Sequence, residues 1–316
     1  MIRKSLLKFF IFFILLLTVN FFLDNLYKST ITAASIEGRK DNQFDNYNDT
    51  LKYLLLGDSH IQNAIDPRIL KNSFNYSSAN ENYIQTYYKL KTIVKKKNKT
   101  PECIVLPIDI SSFSGFRSDR FKYDAYWIRF MDYFELKKEK NNWDFISKWL
   151  SGSFFSYAGN YETIFRYILV SRNTLGELHF GYKARYEKLS EKNDKFEFSE
   201  RRAKLYLDST NYFDRDLSLY FQNILSFCNS NNIEVILIRL PIDEHYYKIA
   251  GKLIPINKYY EKIDAIISEH KNICYKIDYH NLFFGKQEFL RNPDHVNFKG
   301  APIVSQMLLE KLNKKR

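Results

Sequence analysis

Two short stretches at opposite ends of the chain carry residue types that could do covalent chemistry. The first is Gly57-Asp58-Ser59-His60, which ends the apolar run 52–56 (KYLLL). Such a run suits a buried parallel strand, and a glycine at its exit permits a tight turn. A serine there projects into the crevice beyond the strand's carboxyl end, where ligands of parallel sheets bind. Its backbone N–H, close to the start of a helix, is a donor for an oxyanion. The second stretch is Arg291-Asn292-Pro293-Asp294-His295-Val296-Asn297-Phe298-Lys299-Gly300, in the loop before a final helix. His295 there can take the Ser59 proton and return it to a leaving group, provided the sheet order brings the two together.

Other residues could line the same edge. His60 stands beside the nucleophile, where it lines a pocket or caps a helix. Asp109 ends the strand-like run 103–110 (CIVLPIDI) and either contacts substrate or holds a loop. Arg239, inside an apolar strand, needs a buried partner. His245 and Tyr246 follow Pro241 and read as loop residues, and Asp278 and His280 read as structural.

The elements that must position these groups follow from periodicity. After strand 52–56 and a short helix come an extended piece at 75–78, a helical stripe at 81–97 and strand 103–110. A second stripe at 213–229 precedes the strongest strand, 233–240 (IEVILIRL), then a helix near 256–270, a strand near 273–278 and a helix at 299–313. Strands alternating with helices imply a parallel sheet covered on both faces. Between about 111 and 212 the alternation lapses into an aromatic-rich stretch (Tyr126, Trp127, Phe130, Trp143, Trp149, Phe154, Phe155, Tyr157). It is too long for a loop and reads as a helical insertion, either a lid or substrate wall or a structural elaboration.

The N-terminus bears on compartment. Arg3, Lys4 and Lys8 precede an apolar run from Phe9 to Leu23, closed by Asp24. Counted from Leu6 it is about 18 residues, near the lower limit for a bilayer span. Small residues suited to cleavage first appear at Ala33 and Ala34, so 1–28 reads as an uncleaved signal anchor, with a cleaved signal peptide as the alternative. Cations ahead of the run place the remainder outside the cytoplasm. Residues 29–50, polar and without periodicity, read as a tether to a domain spanning 51–316.

Net charge is +12, yet no nucleic-acid-binding motif accompanies it. The lysines at 89, 91, 95, 96 and 97 read as a solvated helix face. An aromatic share of 17% fits an aromatic core, or rings that stack on sugars. Cys103, Cys228 and Cys274 have no zinc or disulfide spacing and read as buried apolar residues.

Gly-Asp-Ser at the end of strand one, with Asp-His-hydrophobic-Asn-x-x-Gly before the last helix, resembles the SGNH (GDSL-type) hydrolase superfamily. It is most similar to the membrane-anchored branch associated with cell-envelope polysaccharides. The resemblance covers roughly 51–110 and 213–313. It implies a flavodoxin-like three-layer α/β/α sandwich and ester hydrolysis or O-acyl transfer on a surface glycan, with no metal or nucleotide cofactor. A transferase of this kind calls for a membrane partner that exports acyl groups. The implied catalytic pair is Ser59 and His295; read from their positions rather than from the family, Gly57, Asp58, His60, Asn80 and Asp109 are the candidates to surround substrate and oxyanion. Two departures stand out. Asn292 occupies the position of the family's aspartate, leaving adjacent Asp294 as a substitute, although neighbouring side chains in an extended loop point apart. The family's Gly-x-Asn-Asp is replaced by Ile108-Asp109-Ile110-Ser111-Ser112. A glycan-binding or assembly factor on an inactive SGNH scaffold is the competing expectation.

Overall fold

The computed structural model describes residues 2–118, 130–135, 147, 150, 178–207 and 210–315. The chain divides into two compact units, Met1–Asn42 with Met131–Gly176, and Gln43–Phe130 with Glu177–Arg316.

The first unit begins with helix α1, Ile2–Tyr27. Its 26 residues rise about 39 Å, more than the ~30 Å hydrocarbon core of a bilayer. The helix is long and apolar enough to cross a membrane, and Phe9, Phe12, Leu15 and Phe22 are all exposed. The polar side chains in the run turn back on the helix: Thr18 Oγ1 donates to Ile14 O at 2.9 Å and Asn20 Nδ2 to Leu16 O at 2.8 Å. Such internal satisfaction is what a hydrocarbon surrounding demands. The stretch read as a tether is largely helical, with a π-helical turn at Lys28–Thr32 and helix α2 at Ile36–Asp45.

The second unit is built on a sheet whose first three strands are β1 (Tyr53–Leu55), β2 (Ser73–Asn75) and β3 (Cys103–Pro107). β4 (Glu234–Arg239) and β5 (Cys274–Asp278) complete it. The order is β2-β1-β3-β4-β5 and every pairing is parallel. Propagation reverses between β1 and β3, which opens a crevice at the carboxyl ends of those strands. α3 (Ser59–Ala64), α4 (Tyr83–Lys95) and α5 (Gly115–Ser118) follow the first three strands. Next come α6 (Lys195–Tyr206), α7 (Arg215–Ser230), α8 (Glu244–Leu253), α9 (Ile256–Ser268) and α10 (Gly300–Lys315).

Alternation along the strands sorts the core into two faces. Tyr53, Leu55, Val105, Ile236 and Ile238 pack in one cluster with Ile61 of α3 and Val304, Leu308 and Leu312 of α10. Leu54, Ile104, Leu106 and Leu237, also fully buried, point to the opposite face. There α4 packs on α7.

Two local expectations are corrected. Lys89 is not on a solvated face: its ammonium is fully buried, 2.7 Å from Glu81 Oε2 and 2.7 Å from Tyr76 O. The α4 face that carries it turns inward, and the Glu81 carboxylate balances the charge that burial would otherwise penalise. His245 and Tyr246 are not loop residues but open α8, whose N-cap Asp243 accepts from both of their backbone N–H groups. Most of the aromatic stretch read as an insertion, including Trp127, Trp143 and Trp149, lies outside the described residues. Its described margins supply α5 and α6.

Candidate active site

Gly57 sets the backbone geometry ahead of Ser59. Its φ of +114° lies in the left-handed region, and a Cβ built there would stand 2.6 Å from Pro107 Cδ at the exit of β3. The strand can therefore turn sharply, against its neighbour, only with glycine. Replacement by alanine should lower stability by about 2–4 kcal/mol, read as a drop in the urea unfolding midpoint; an unchanged midpoint would remove glycine's role in the turn. Asp58 then caps α3, its Oδ1 accepting the His60 backbone N–H at 2.9 Å, which makes Ser59 the first helical residue.

His295 comes from a two-stranded antiparallel hairpin, β6 (Leu290–Asn292) and β7 (His295–Val296). Pro293 O accepts the Asp243 N–H at 2.7 Å, pinning the hairpin tip to the exit of β4. Asn297, fully buried, donates through Nδ2 to Glu288 O at 2.8 Å and accepts through Oδ1 from Lys299 N and Gly300 N. It thus ties the hairpin to the N-terminus of α10. Gly300 lies so close to Phe289 O, 2.5 Å from an added Cβ, that no side chain fits. The Asn-x-x-Gly spacing is therefore explained by this junction.

Ser59 Oγ lies 2.7 Å from His295 Nε2. His295 Nδ1 faces two acceptors, Asp294 Oδ1 at 2.9 Å and Asn292 Oδ1 at 3.0 Å. Two acceptors at Nδ1 place the proton there and leave the Nε2 lone pair for the Ser59 hydroxyl. Asp294 thus reaches the imidazole, contrary to the expectation for neighbours in an extended loop. The segment is a tight hairpin with Asn292 paired to His295, and its corner folds the Asp294 side chain back.

Asp294 is a shared carboxylate. Arg202 of α6 grips it with two prongs, Nε to Oδ1 at 2.5 Å and Nη2 to Oδ2 at 3.0 Å, and His60 Nε2 lies 3.3 Å from Oδ2. On its other side His60 Nδ1 donates to Asp58 Oδ2 at 2.8 Å, where the Arg117 guanidinium of α5 also binds. With a carboxylate on each ring nitrogen, His60 is an imidazolium. Its ring lies nearly parallel to His295, with centroids 4.3 Å apart.

These contacts set the charges. Burial would depress His60, but Asp58 and Asp294 outweigh it and raise its pKa to about 10. Burial lowers His295 to about 4, against the pull of Asp294 and with the His60 charge adding to the fall. Burial would raise both Asp58 and Asp294; Arg117 and His60 hold the first well below the usual carboxylate range, and His295 and Arg202 hold the second there. Asp109 is the exception: burial pushes it up to about 7. Its Oδ1 accepts the Leu240 N–H at 2.7 Å, bracing β3 against β4, and its buried Oδ2 has no hydrogen-bond partner among the described residues, the His60 Nδ1 ion-pair contact being 4.0 Å away.

All the acid–base candidates, Ser59, His295, Asn292, Asp294, Asp58 and His60, therefore converge, and Asp109 stands 4.0 Å from His60. Asn80 sits exposed in the turn after β2 with φ of +62°. Arg117 and Arg202 belong to the site and sequence reasoning did not find them. Both lie in the stretch without strand–helix alternation, and the Arg201-Arg202 pair looks like ordinary surface charge. Only Arg202 turns inward, its side chain 17% exposed against 66% for Arg201.

His60, Asp294 and His295 bring potential metal-ligand atoms within 4.8 Å of one another. Each of those atoms is already hydrogen-bonded, and a cation would have to displace Arg202 and a proton from an imidazole. The donor set fits a proton relay better than a metal. No family model matches the chain, and no curated protein matches it.

Proposed function

We propose that this protein is an SGNH-type serine esterase or O-acyltransferase acting on acyl esters of a surface glycan, held at the membrane by α1. The observation that carries the reading is the 2.7 Å approach of Ser59 Oγ to His295 Nε2, with Nδ1 fixed by two acceptors. The strand order β2-β1-β3-β4-β5, the flavodoxin-like order, supports it. So does the site's place at the β1/β3 reversal.

In the proposed reaction Ser59 Oγ attacks the acyl carbonyl as its proton passes to His295 Nε2. The resulting oxyanion faces the Ser59 backbone N–H, beside a buried cluster in which Arg117, Arg202 and His60 outnumber the ionised Asp58 and Asp294. Collapse breaks the ester C–O bond, and the leaving alcohol takes the proton from His295. Water or a sugar hydroxyl then surrenders its proton to His295 and attacks the acyl-serine. This releases an acid or a new ester, and Ser59 regains its proton. Arg3, Lys4 and Lys8 ahead of the span orient the catalytic unit outside the cytoplasm. A transferase would receive its acyl groups from a membrane exporter.

One observation favours a binding factor instead: where the family presents an amide donor after β3, this chain presents the Asp109 carboxylate. The test uses the full chain in detergent with a fluorophosphonate probe. Labelling that disappears in both Ser59→Ala and His295→Ala supports an activated serine. A folded protein that stays unlabelled from pH 6 to pH 9 favours the binding reading.

A further inference from the structure

Beyond the Ser59 site, the same sheet edge carries a second cleft of about 500 Å³ at the carboxyl ends of β4 and β5, walled by α8, α9 and the chain leaving β5. Its lining combines flat rings with hydrogen-bonding groups: Tyr247, Tyr260 and Phe284 with Arg239, Asp278 and His280. Arg239 lies over the Tyr260 ring, 3.2 Å from its centroid, and its Nη1 donates to Asp278 Oδ2 at 2.8 Å. The rings of Tyr247 and His280 meet edge to face at 5.3 Å.

The buried polar atoms of this cleft are unfinished. Both ring nitrogens of His280, the Tyr260 hydroxyl and Arg239 Nε are all buried without a hydrogen-bond partner among the described residues. His280 is 7% exposed and Tyr260 8%. Buried donors and acceptors are destabilising when unmet, so four in one lining are a standing deficit that a polar occupant reaching them would relieve. Burial keeps His280 neutral, with its pKa down at about 4, so it offers one donor and one acceptor.

The charges narrow the occupant. Glu261, Asp264 and Asp278 line the cleft against a single guanidinium, which disfavours a polyanion. Asp264 is engaged by Lys276 at 2.5 Å and Asp278 by Arg239, which weakens the claim of a cation. Rings that meet a C–H face, with carboxylates and the Asn257 and Asn281 amides at the rim, match a neutral, hydroxyl-rich ring. We infer that this cleft is a subsite for a neutral pyranose unit of a glycan chain, held by stacking on Tyr247 and by hydrogen bonds to the Arg239–Asp278 pair and His280.

The inference shares the glycan with the proposed function but requires no turnover, so the two fail separately. The full chain in detergent would be titrated, by calorimetry and saturation-transfer NMR, with hexamers of cellulose, amylose, mannan and chitin. Chitosan and oligogalacturonate hexamers serve as cationic and anionic comparisons. At least one neutral hexamer should bind, oligogalacturonate should not, and Ser59→Ala should bind as the native chain does. Tyr247→Ala and Asp278→Asn should each weaken binding tenfold or more with unfolding midpoints held. His280→Phe should abolish binding while leaving the fold at least as stable. Failure of all four neutral hexamers, preference for a charged one, or undiminished binding in the three cleft variants overturns the subsite.

Discussion

Replacing Asp294 with asparagine is expected to slow fluorophosphonate labelling of Ser59 by about 10³–10⁴-fold, comparable to the loss when a buried triad carboxylate is neutralised. The same change should cost about 3–5 kcal/mol of stability, because it leaves Arg202 and the His60 imidazolium without their shared counter-charge. Asn292→Ala, by contrast, should slow labelling less than tenfold, and Asn292→Asp should change it little. The difference follows from the contacts. Asn292 supplies one neutral acceptor to His295 Nδ1, whereas Asp294 supplies a charged one and holds two further cations. Stopped-flow labelling with parallel urea melts measures both effects. Equal losses for the two alanine variants, Asp294→Ala and Asn292→Ala, would show that Asp294 holds no special place.

The second large effect is on pH dependence. Labelling should stay level from pH 8 down to about 5 and halve near pH 4, where His295 Nε2 becomes protonated. In His60→Gln the stacked positive charge is gone, so the half-point should move upward. Stability should respond on both sides of neutrality. His60 has a folded pKa of about 10 against about 6.5 unfolded. Its contribution is complete below pH 6.5 and is lost as pH rises towards 10. His295 and His280, both near 4 when folded, take up protons more readily unfolded, so stability also falls as pH drops from 6.5 to 4. The curve should peak near pH 6.5, and His60→Gln should flatten its alkaline limb and, because His295 then protonates more readily in the fold, make its acid limb shallower. A flat alkaline limb in the native chain would mean that His60 is not held as the imidazolium.

Much of the fold was legible because its strands are simple. Ile233 to Leu240 and Cys103 to Ile110 are apolar runs too short for helices, and the stripes at 81–97 and 213–229 carry a 3.6-residue period. Ser59 and His295 stood out because Gly-Asp-Ser follows an apolar run and Asp-His precedes the last helix, the two motifs that carry the resemblance, and their side chains meet at 2.7 Å. What escaped were features with no periodic signature. The β6–β7 hairpin has arms of three and two residues, too short for alternation to register, so Asp294 looked splayed from His295 when the turn folds it back. Arg117 and Arg202 enter from the margins of an aperiodic stretch, and nothing local distinguishes an arginine bound for a buried carboxylate. Lys89 shows the same limit, since composition cannot foresee that Glu81 would meet it inside.

Ser59 and His295 stand 236 positions apart in the chain, and His295 rides on a hairpin that immediately precedes α10. Their contact therefore depends on α10 docking beside α3, where Asp66 N donates to Ser305 Oγ at 2.8 Å. A label on Ser59 that needs His295 would thus report an intact tertiary assembly rather than the mere presence of the Ser59 segment.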